Sequence, residues 1–462
     1  MPKSSNIAGR LERLPSSPYF YTLIVLIAMG TFWDSYMLFS IGGIATHFFT
    51  VTGTKYFAAY LPALLFGGTF IGAILMGTLG DHIGRRNAFT LDVAILAIGA
   101  TIAVASSSLI IFGIGLFIAG LGTGAEIPLS STYSQEFAPT ARRGYINVLE
   151  LAIGFAGGTV GGFADLFLVP TFPFGYKLVL LIAAIGGFLT LLMRLKVPES
   201  PRWLESKGRT VMADQIMSLI EKKTMLSKGI RKLPLPKKMP EPLRRKWSLS
   251  SLFKGKYRRR TASAWAIEFF QGFGFYGFAS FVPIFLHGLG YSIVSSLLYT
   301  ALIQIAYPVG TILTTTFVDK VPRKTGMGVL YFINMLVGVG FLLSGVYHGG
   351  AILIVLFGFL TELLIFMDGP LLHTYEAEIY PAYARGSGSS MSFSLSRLGG
   401  FVAPLLGGFL LVLYPTTGYI TIIAWAAAAW IICSTIAFTV AVNTKDLSLE
   451  ELETSSSKSK SG

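Results

Sequence analysis

Several ionisable side chains stand where the surrounding sequence is almost wholly apolar. Asp34, Asp92, Glu126, Glu150, Glu268, Glu362, Asp368 and Arg397 are flanked on both sides by long hydrophobic stretches. In a bilayer such a group costs about 2.5–3.5 kcal/mol at the centre of a helix. It persists when it is paired, protonated or facing a water-filled cavity. A carboxyl that alternates between a bound proton and an ion pair can couple proton movement to another event. Asp34 lies about 15 residues into its stretch, near the middle of a helix rising 1.5 Å per residue, and is the first candidate for proton coupling. Glu126 stands in a glycine-rich stretch beside Pro128 and is the second. Glu268 and Gln271 share a helix face at i and i+3 and can contact a substrate, as can Tyr276 from the aromatic-rich stretch that follows. Arg397 has the chemistry of a clamp for a carboxylate. For each residue the alternative is structural: a hydrogen bond to backbone, or a pair with a neighbouring charge. Asp92 and Glu150 stand near the ends of their stretches and can serve a gate there.

The elements that must hold these groups are membrane-spanning helices. Only 13% of the 462 residues are charged and 53% are apolar, with 52 Gly and 36 Phe. A soluble chain carries about 25% charged residues. Apolar runs occur near 19–43, 56–79, 86–106, 109–133, 144–169, 175–194, 261–288, 292–318, 324–347, 350–375, 386–413 and 417–441. Backbone groups in lipid must be satisfied internally, so the runs are expected to be helices. The first is too long for a signal-peptide core and has no small-residue cleavage site, so it is read as retained. Lys and Arg crowd alternate connections, which predicts that both termini are cytoplasmic. Residues 194–260 alone hold 20 Lys and Arg against 5 Asp and Glu, so the net charge of +14 reflects topology and one loop more than a nucleic-acid face. That loop can also rest on anionic head groups, at about 1 kcal/mol per basic side chain. One cysteine, Cys433, excludes a disulfide framework, and five scattered histidines show no metal-ligand spacing. No metal or cofactor is expected.

Two patterns occur twice. Gly77-Thr-Leu-Gly-Asp81-His-Ile-Gly84-Arg85-Arg86 is echoed by Phe317-Val-Asp319-Lys-Val-Pro-Arg323-Lys324, and Asp319 lies 319 − 81 = 238 residues after Asp81. Glu136-Phe-Ala-Pro139-Thr-Ala-Arg-Arg143-Gly144 is echoed by Glu378-Ile-Tyr-Pro381-Ala-Tyr-Ala-Arg385-Gly386, at 378 − 136 = 242. Nearly equal offsets point to a duplicated half. The predicted organisation is a cytoplasmic N-terminus (1–18), a six-helix bundle (19–194), a basic linker (195–260), a second six-helix bundle (261–442) and a tail (443–462). The repeated charges read as a cytoplasmic gate, with Asp81/Arg85, Asp319/Arg323, Glu136/Arg143 and Glu378/Arg385 as pairs, and Arg86, Glu199, Arg202 and Lys324 beside them. The alternative is that they only anchor the topology.

Gly77-x-Leu-Gly-Asp81-x-x-Gly84-Arg85-Arg86 resembles the signature of the major facilitator superfamily. Pro198-Glu-Ser-Pro-Arg202-Trp-Leu204, Gly369-Pro370 ahead of Glu378-Ile-Tyr-Pro381, and Asn443-Thr-Lys445 with Leu449-Glu-Glu-Leu452 resemble the sugar porters and the organic-ion transporters. The resemblance spans roughly residues 20–453. It implies an all-α membrane protein of twelve transmembrane helices in two pseudo-symmetric six-helix bundles, working by alternating access. Departures from it bear on the substrate. Leu116 occupies the sugar-porter arginine slot in helix 4, His373 the place of the sugar-stacking Trp, and Gln271 stands alone where a Gln pair is expected. Gly124-Ala-Glu126-Ile-Pro-Leu-Ser130 and Phe32-Trp-Asp34-Ser-Tyr-Met37 resemble the phosphate:proton symporters, but Met37 and Gly272 replace acids of that branch. Ser396-Arg397-Leu-Gly-Gly-Phe-Val-Ala-Pro404 resembles helix 11 of the organic-anion carriers, where an arginine goes with anionic substrates.

The expected protein is therefore a monomeric, multi-pass plasma-membrane carrier and not an enzyme. Its partners are lipid, protons and a small organic solute, with an organic anion ahead of a sugar and phosphate third. A passive uniporter and a sugar:proton symporter are the alternatives. A non-transporting sensor is more remote, because only about 20 residues follow the last helix, fewer than a signalling domain needs.

Overall fold

The computed structural model describes residues 6–50, 55–139, 142–236, 253, 255–317, 320–380, 385–414 and 417–442. Among the described residues it is all-helical. The first half runs α1 (Ile7–Glu12), α2 (Pro18–Thr50), α3 (Lys55–Ile83), α4 (Arg85–Ala105), α5 (Leu109–Thr123), α6 (Glu126–Phe137), α7 (Arg143–Leu168) and α8 (Gly175–Arg194). A connection carries α9 (Pro201–Ser206) and α10 (Thr210–Lys228). The second half runs α11 (Gly255–Gly288), α12 (Ile293–Gln304), α13 (Ala306–Thr314), α14 (Arg323–Val346), α15 (Ala351–Ile379), α16 (Arg385–Leu413) and α17 (Gly418–Thr439). Eleven spans are long and apolar enough to cross a bilayer, counting α5–α6 and α12–α13 as one each. α3, with its shorter apolar stretch Tyr60–Met76, makes the twelfth.

Where the helices break or run on has local causes. α5 ends at Gly124 and α6 restarts at Glu126, with Pro128 in its first turn, where the missing N–H is tolerated. α2 continues seven residues past the apolar run that ends at 43, because His47 and Thr50 fold their polarity inward. Thr46 and Thr50 hydroxyls bond to the carbonyls of Gly42 and Thr46, and the His47 ring lies 4.8 Å from that of Tyr176.

Small residues set how closely helices approach. In α7 two glycine stripes point different ways. A side chain at Gly154, Gly157 or Gly161 would run into Thr31, Phe32 and Tyr36 of α2 within the first half. One at Gly158 or Gly162 would run into Tyr307 of α13 and Gln304 of α12, in the other half. Such stripes let backbones pack where lipid offers no hydrophobic driving force between helices. Across the halves, α2 packs on α11, α3 on α16, and α7 on α12 and α13.

The connection between the halves is not a bare charged loop. α1, α9 and α10 form a layer over one end of the first half, sealed by Leu11, Trp203, Leu204 and Met217 in one apolar cluster with Phe20 and Tyr133. Ser200 caps α9 by accepting from the Trp203 N–H at 3.1 Å, with Pro201 at the first helical position. Arg10 donates to both Glu221 oxygens, at 3.0 and 2.7 Å, and Arg13 donates to Oε1 at 2.5 Å. Burial pushes the Glu221 carboxyl up, but the hydrogen bonds and charges of the two arginines outweigh it and hold it below its ordinary 4.5. This end carries the repeated charged patterns and is called the basic end below.

Candidate functional site

A cavity of about 60 Å³ lies between the halves. α2, α6 and α7 contribute its walls from the first half, and α11, α15 and α16 from the second. Phe39, Phe155, Phe275, Tyr276, Phe366 and Phe393 make it largely aromatic. Ser35, Glu268, Gln271, His373 and Ser396 give it polar groups. Four residues singled out from sequence for substrate contact, Glu268, Gln271, Tyr276 and His373, therefore share one wall. Gln271 Oε1 accepts from the Ser396 hydroxyl at 3.2 Å. Beside the cavity, rings from both halves meet. Phe39 and Tyr307 lie 4.6 Å apart, Tyr307 stacks on Phe366 at 4.4 Å, and Gln304 donates to the Phe39 carbonyl at 3.3 Å.

Arg397, the fifth candidate, does not reach the cavity surface. It is fully buried behind Tyr276, donating from Nη1 to the Tyr276 hydroxyl at 2.6 Å, with its guanidinium 5.0 Å from the Phe393 ring centre. Its Nη2 lies 3.8 Å from Asp34 Oδ2, with both side chains at 0% exposure. The arginine missing from helix 4 is thus replaced from α16, and the pair joins the two halves. Both Asp34 oxygens and Arg397 Nε and Nη2 lack a hydrogen-bond partner in this arrangement. The pair is held by charge and not by an aligned bond.

Glu126 sits elsewhere. It accepts from Arg194 Nη2 at 2.6 Å in the interior of the first half, and the Arg194 guanidinium covers the Phe89 ring at 3.2 Å. Gly30 makes room, since a side chain there would meet both partners. Glu150 belongs to the same interior and accepts from the Thr31 hydroxyl at 2.8 Å. Asp92 is buried with both oxygens unpartnered. Neither Glu150 nor Asp92 reaches the end of the bundle, so the gate expectation for them is corrected. Their helices carry them one to two turns inward, beyond the interface. Arg194 was passed over in the sequence because it closes an apolar run just where the basic stretch begins, and reads there as one more anchor. Asp165 and Glu376, also buried, were missed for the same reason of standing near run ends.

Among the described residues, charged pairs at the basic end join the two patterns of each half. Arg85 Nε lies 3.4 Å from Glu136, and Arg323 Nη2 lies 3.2 Å from Glu378. Arg143 does not pair with Glu136: its Nε is buried without a partner. Glu199 accepts the Arg86 backbone N–H at 3.2 Å and so caps α4 beside Gly84, whose φ of 103° suits glycine. Burial pushes the Glu199 carboxyl up, opposed by backbone N–H groups of Ser200, Arg86 and Arg85. The Arg86 side chain donates to the Leu195 carbonyl at 3.2 Å. Arg202 stands 4.0 Å from Glu12 and, lowered by burial and by Arg143, titrates at about 10. Lys324 opens α14 beside Arg323, half-buried. Asp319 lies outside the described residues, as do the side chains of Asp81 and Arg385.

The same aromatic wall holds a convergence that the spacing of histidines in the sequence did not suggest. Glu268 on α11 and His373 and Glu376 on α15 bring one ligand-type atom each within 4.8 Å of one another. His373 Nδ1 is 3.8 Å from Glu268 Oε1 and 3.5 Å from Glu376 Oε2.

Residues 23–455 match the family model described as Sugar (and other) transporter. The chain belongs to the sugar (and other) transporter family. The transporter is 30% identical over 436 residues to the putative metabolite transport protein YyaJ of Bacillus subtilis, covering 93% of this chain and 94% of that one. It is 27% identical to the niacin transporter NiaP of Acinetobacter baylyi, over 87% and 89% of the two chains. Its fold matches that of the proton:xylose symporter XylE, a major facilitator superfamily protein, with a TM-score of 0.70 at 18% identity over 94% and 98% of the chains. The transporter is thus a multi-pass plasma-membrane protein of the major facilitator fold and not an enzyme.

Proposed function

We propose that the transporter moves a small aromatic carboxylate together with a proton by alternating access. The observation that carries this is the buried Asp34–Arg397 pair, one residue from each half, directly behind the wall of an aromatic cavity. While Asp34 is ionised, its charge occupies Arg397. When Asp34 takes a proton, the guanidinium loses its countercharge at a depth where an unpaired charge is costly. A substrate carboxylate supplies the replacement, reached past the Tyr276 hydroxyl that Arg397 already touches. Phe275, Phe366 and Phe393 then hold the apolar ring, and Gln271 and Ser396 take its polar substituents. Niacin, the compound named for one relative, has this chemistry: a flat heteroaromatic ring with one carboxylate.

On this reading the basic end is cytoplasmic, by the excess of Lys and Arg there. The cavity is shut on the opposite side by the Phe39–Tyr307–Phe366 contacts. Arg85–Glu136 and Arg323–Glu378 brace the helix ends of each half, so that each half moves as a unit when the halves rock.

Purified protein in proteoliposomes tests the reading. Nicotinate or a benzoate added outside should be taken up with alkalinisation of the external medium. Arg397→Ala should abolish both, and Asp34→Asn should abolish accumulation while leaving exchange. Uptake without proton movement, or transport of a neutral sugar that survives Arg397→Ala, would overturn it.

A further inference from the structure

We propose that Glu268, His373 and Glu376 form a binding site for one divalent transition-metal ion on the cavity wall. It uses other side chains than the Asp34–Arg397 pair and does not depend on the transport reading above.

The geometry is that of three ligand-type side chains converging on one point. Glu268 projects from α11, and His373 and Glu376 project from adjacent turns of α15, so two separate helices converge on one point. The two carboxylates are almost fully buried, with side-chain exposures of 2% and 1%. Glu268 Oε1 and Glu376 Oε1 have no hydrogen-bond partner. When both are ionised, two carboxylates held this close in a dry interior repel, and among the described residues no arginine or lysine is paired with either. A neutral imidazole cannot offset them. A doubly charged cation offsets both at once.

The ligand set selects the kind of cation. Imidazole nitrogen with two carboxylate oxygens suits Zn²⁺ or Mn²⁺ better than Ca²⁺, which prefers all-oxygen shells of six or more. Bond lengths of about 2.0–2.2 Å around Zn²⁺ place neighbouring ligand atoms roughly 3.3–3.6 Å apart. The imidazole here stands 3.5 and 3.8 Å from the two carboxylates. His373 keeps 34% of its side chain exposed toward the cavity, so the remaining coordination positions open there. A carboxylate or hydroxyl of a solute in the cavity can complete the shell, as substrate does at open three-ligand zinc sites.

The test uses tag-free, full-length protein in nanodiscs, stripped with a chelator and titrated with ZnCl₂ and, separately, MnCl₂ by calorimetry. One Zn²⁺ per chain is expected to bind, with X-ray absorption showing a single imidazole among light-atom ligands. His373→Gln and Glu376→Gln should each weaken it at least tenfold, while elution in size exclusion shows that both variants fold. Absence of saturable binding overturns the proposal. So does binding that both variants leave unchanged, or a calcium affinity equal to that for zinc. If the wild type binds no metal but its melting temperature falls on raising pH and Glu376→Gln removes that fall, the two carboxylates share a proton instead, and the metal site is wrong.

Discussion

Arg194 and Glu126 show what a single buried charge requires. The pair lies inside the first half at 2.6 Å, with exposures of 2% and 1%. Removing one partner strands the other, which typically costs about 3–5 kcal/mol, whereas replacing both by apolar groups of similar volume is often close to neutral. Arg194→Met should therefore lower the melting temperature of the solubilised protein by many degrees. Glu126→Leu combined with Arg194→Met should recover most of the loss. Glu126→Gln likewise strands Arg194 and should melt lower, and if Glu126 also couples, proteoliposomes of that variant lose substrate-driven proton movement. Asp34→Asn also strands a fully buried arginine, so it should lower the melting temperature as well as stop accumulation.

The sequence was informative about residue type and silent about pairing. Glu268 and Gln271 could be set on one helix face by their i, i+3 spacing, and His373 was marked by the resemblance as standing where a stacking Trp is expected. That Arg397 meets an acid 363 positions earlier (397 − 34) is a matter of which helices cross, and no local periodicity records it. The meeting of Arg85 with Glu136, which belongs to the other pattern of its half, has the same origin, since helix ends are brought together by the bundle and not by the motif.

At the scale of elements, the twelve spans were legible as apolar runs, while their interruptions were less so. Gly120, Gly122 and Gly124 let α5 touch α3 and α4 at backbone distance, and that close packing ends where Pro128 begins a new helix. The layer of α1, α9 and α10 was read as a loop, because its helices are short and its apolar faces are diluted by lysine and arginine. Two predictions belong here. Gly84→Ala puts a β-carbon at a φ of 103° and against the Glu199 carboxylate that caps α4. A loss of about 1–2 kcal/mol is expected from the backbone alone, measurable as reduced yield and a lower melting temperature. The second concerns Glu221. Its carboxyl is held below 4.5 in the folded protein, so its contribution to docking α1 is complete above that value and is lost as pH falls through the lower folded value. The protection of residues 7–14, measured as hydrogen exchange relative to the intrinsic rate at each pH, should fall as pH drops below 4.5, and Glu221→Gln should lack that protection already at neutral pH.

At the scale of the molecule, the halves meet through a glycine stripe on one side and a charge pair at the centre. Gly158 and Gly162 let α7 lie against α12 and α13, where Tyr307 and Gln304 leave no space for a larger residue. Gly162→Leu should wedge the closed side apart. Cys433 is buried and is the chain's one cysteine, so a reporter thiol can be introduced on a quiet background. Leu372→Cys, on the cavity wall, should label from outside the cell only when Gly162→Leu is also present. Equal labelling in both would refute a shut outer side.

The Asp34–Arg397 pair also fixes what the membrane potential can do. Since the two charges sit in different halves, a carrier holding the proton without the anion has a bare guanidinium at mid-membrane. One holding the anion without the proton has a surplus negative charge. Both forms are held back from rocking, and only the empty and the doubly loaded forms cross. A monovalent anion and one proton carry no net current. The pH gradient, and not the voltage, should then set how far the solute is concentrated, and clamping the potential with valinomycin and potassium should leave the final ratio unchanged.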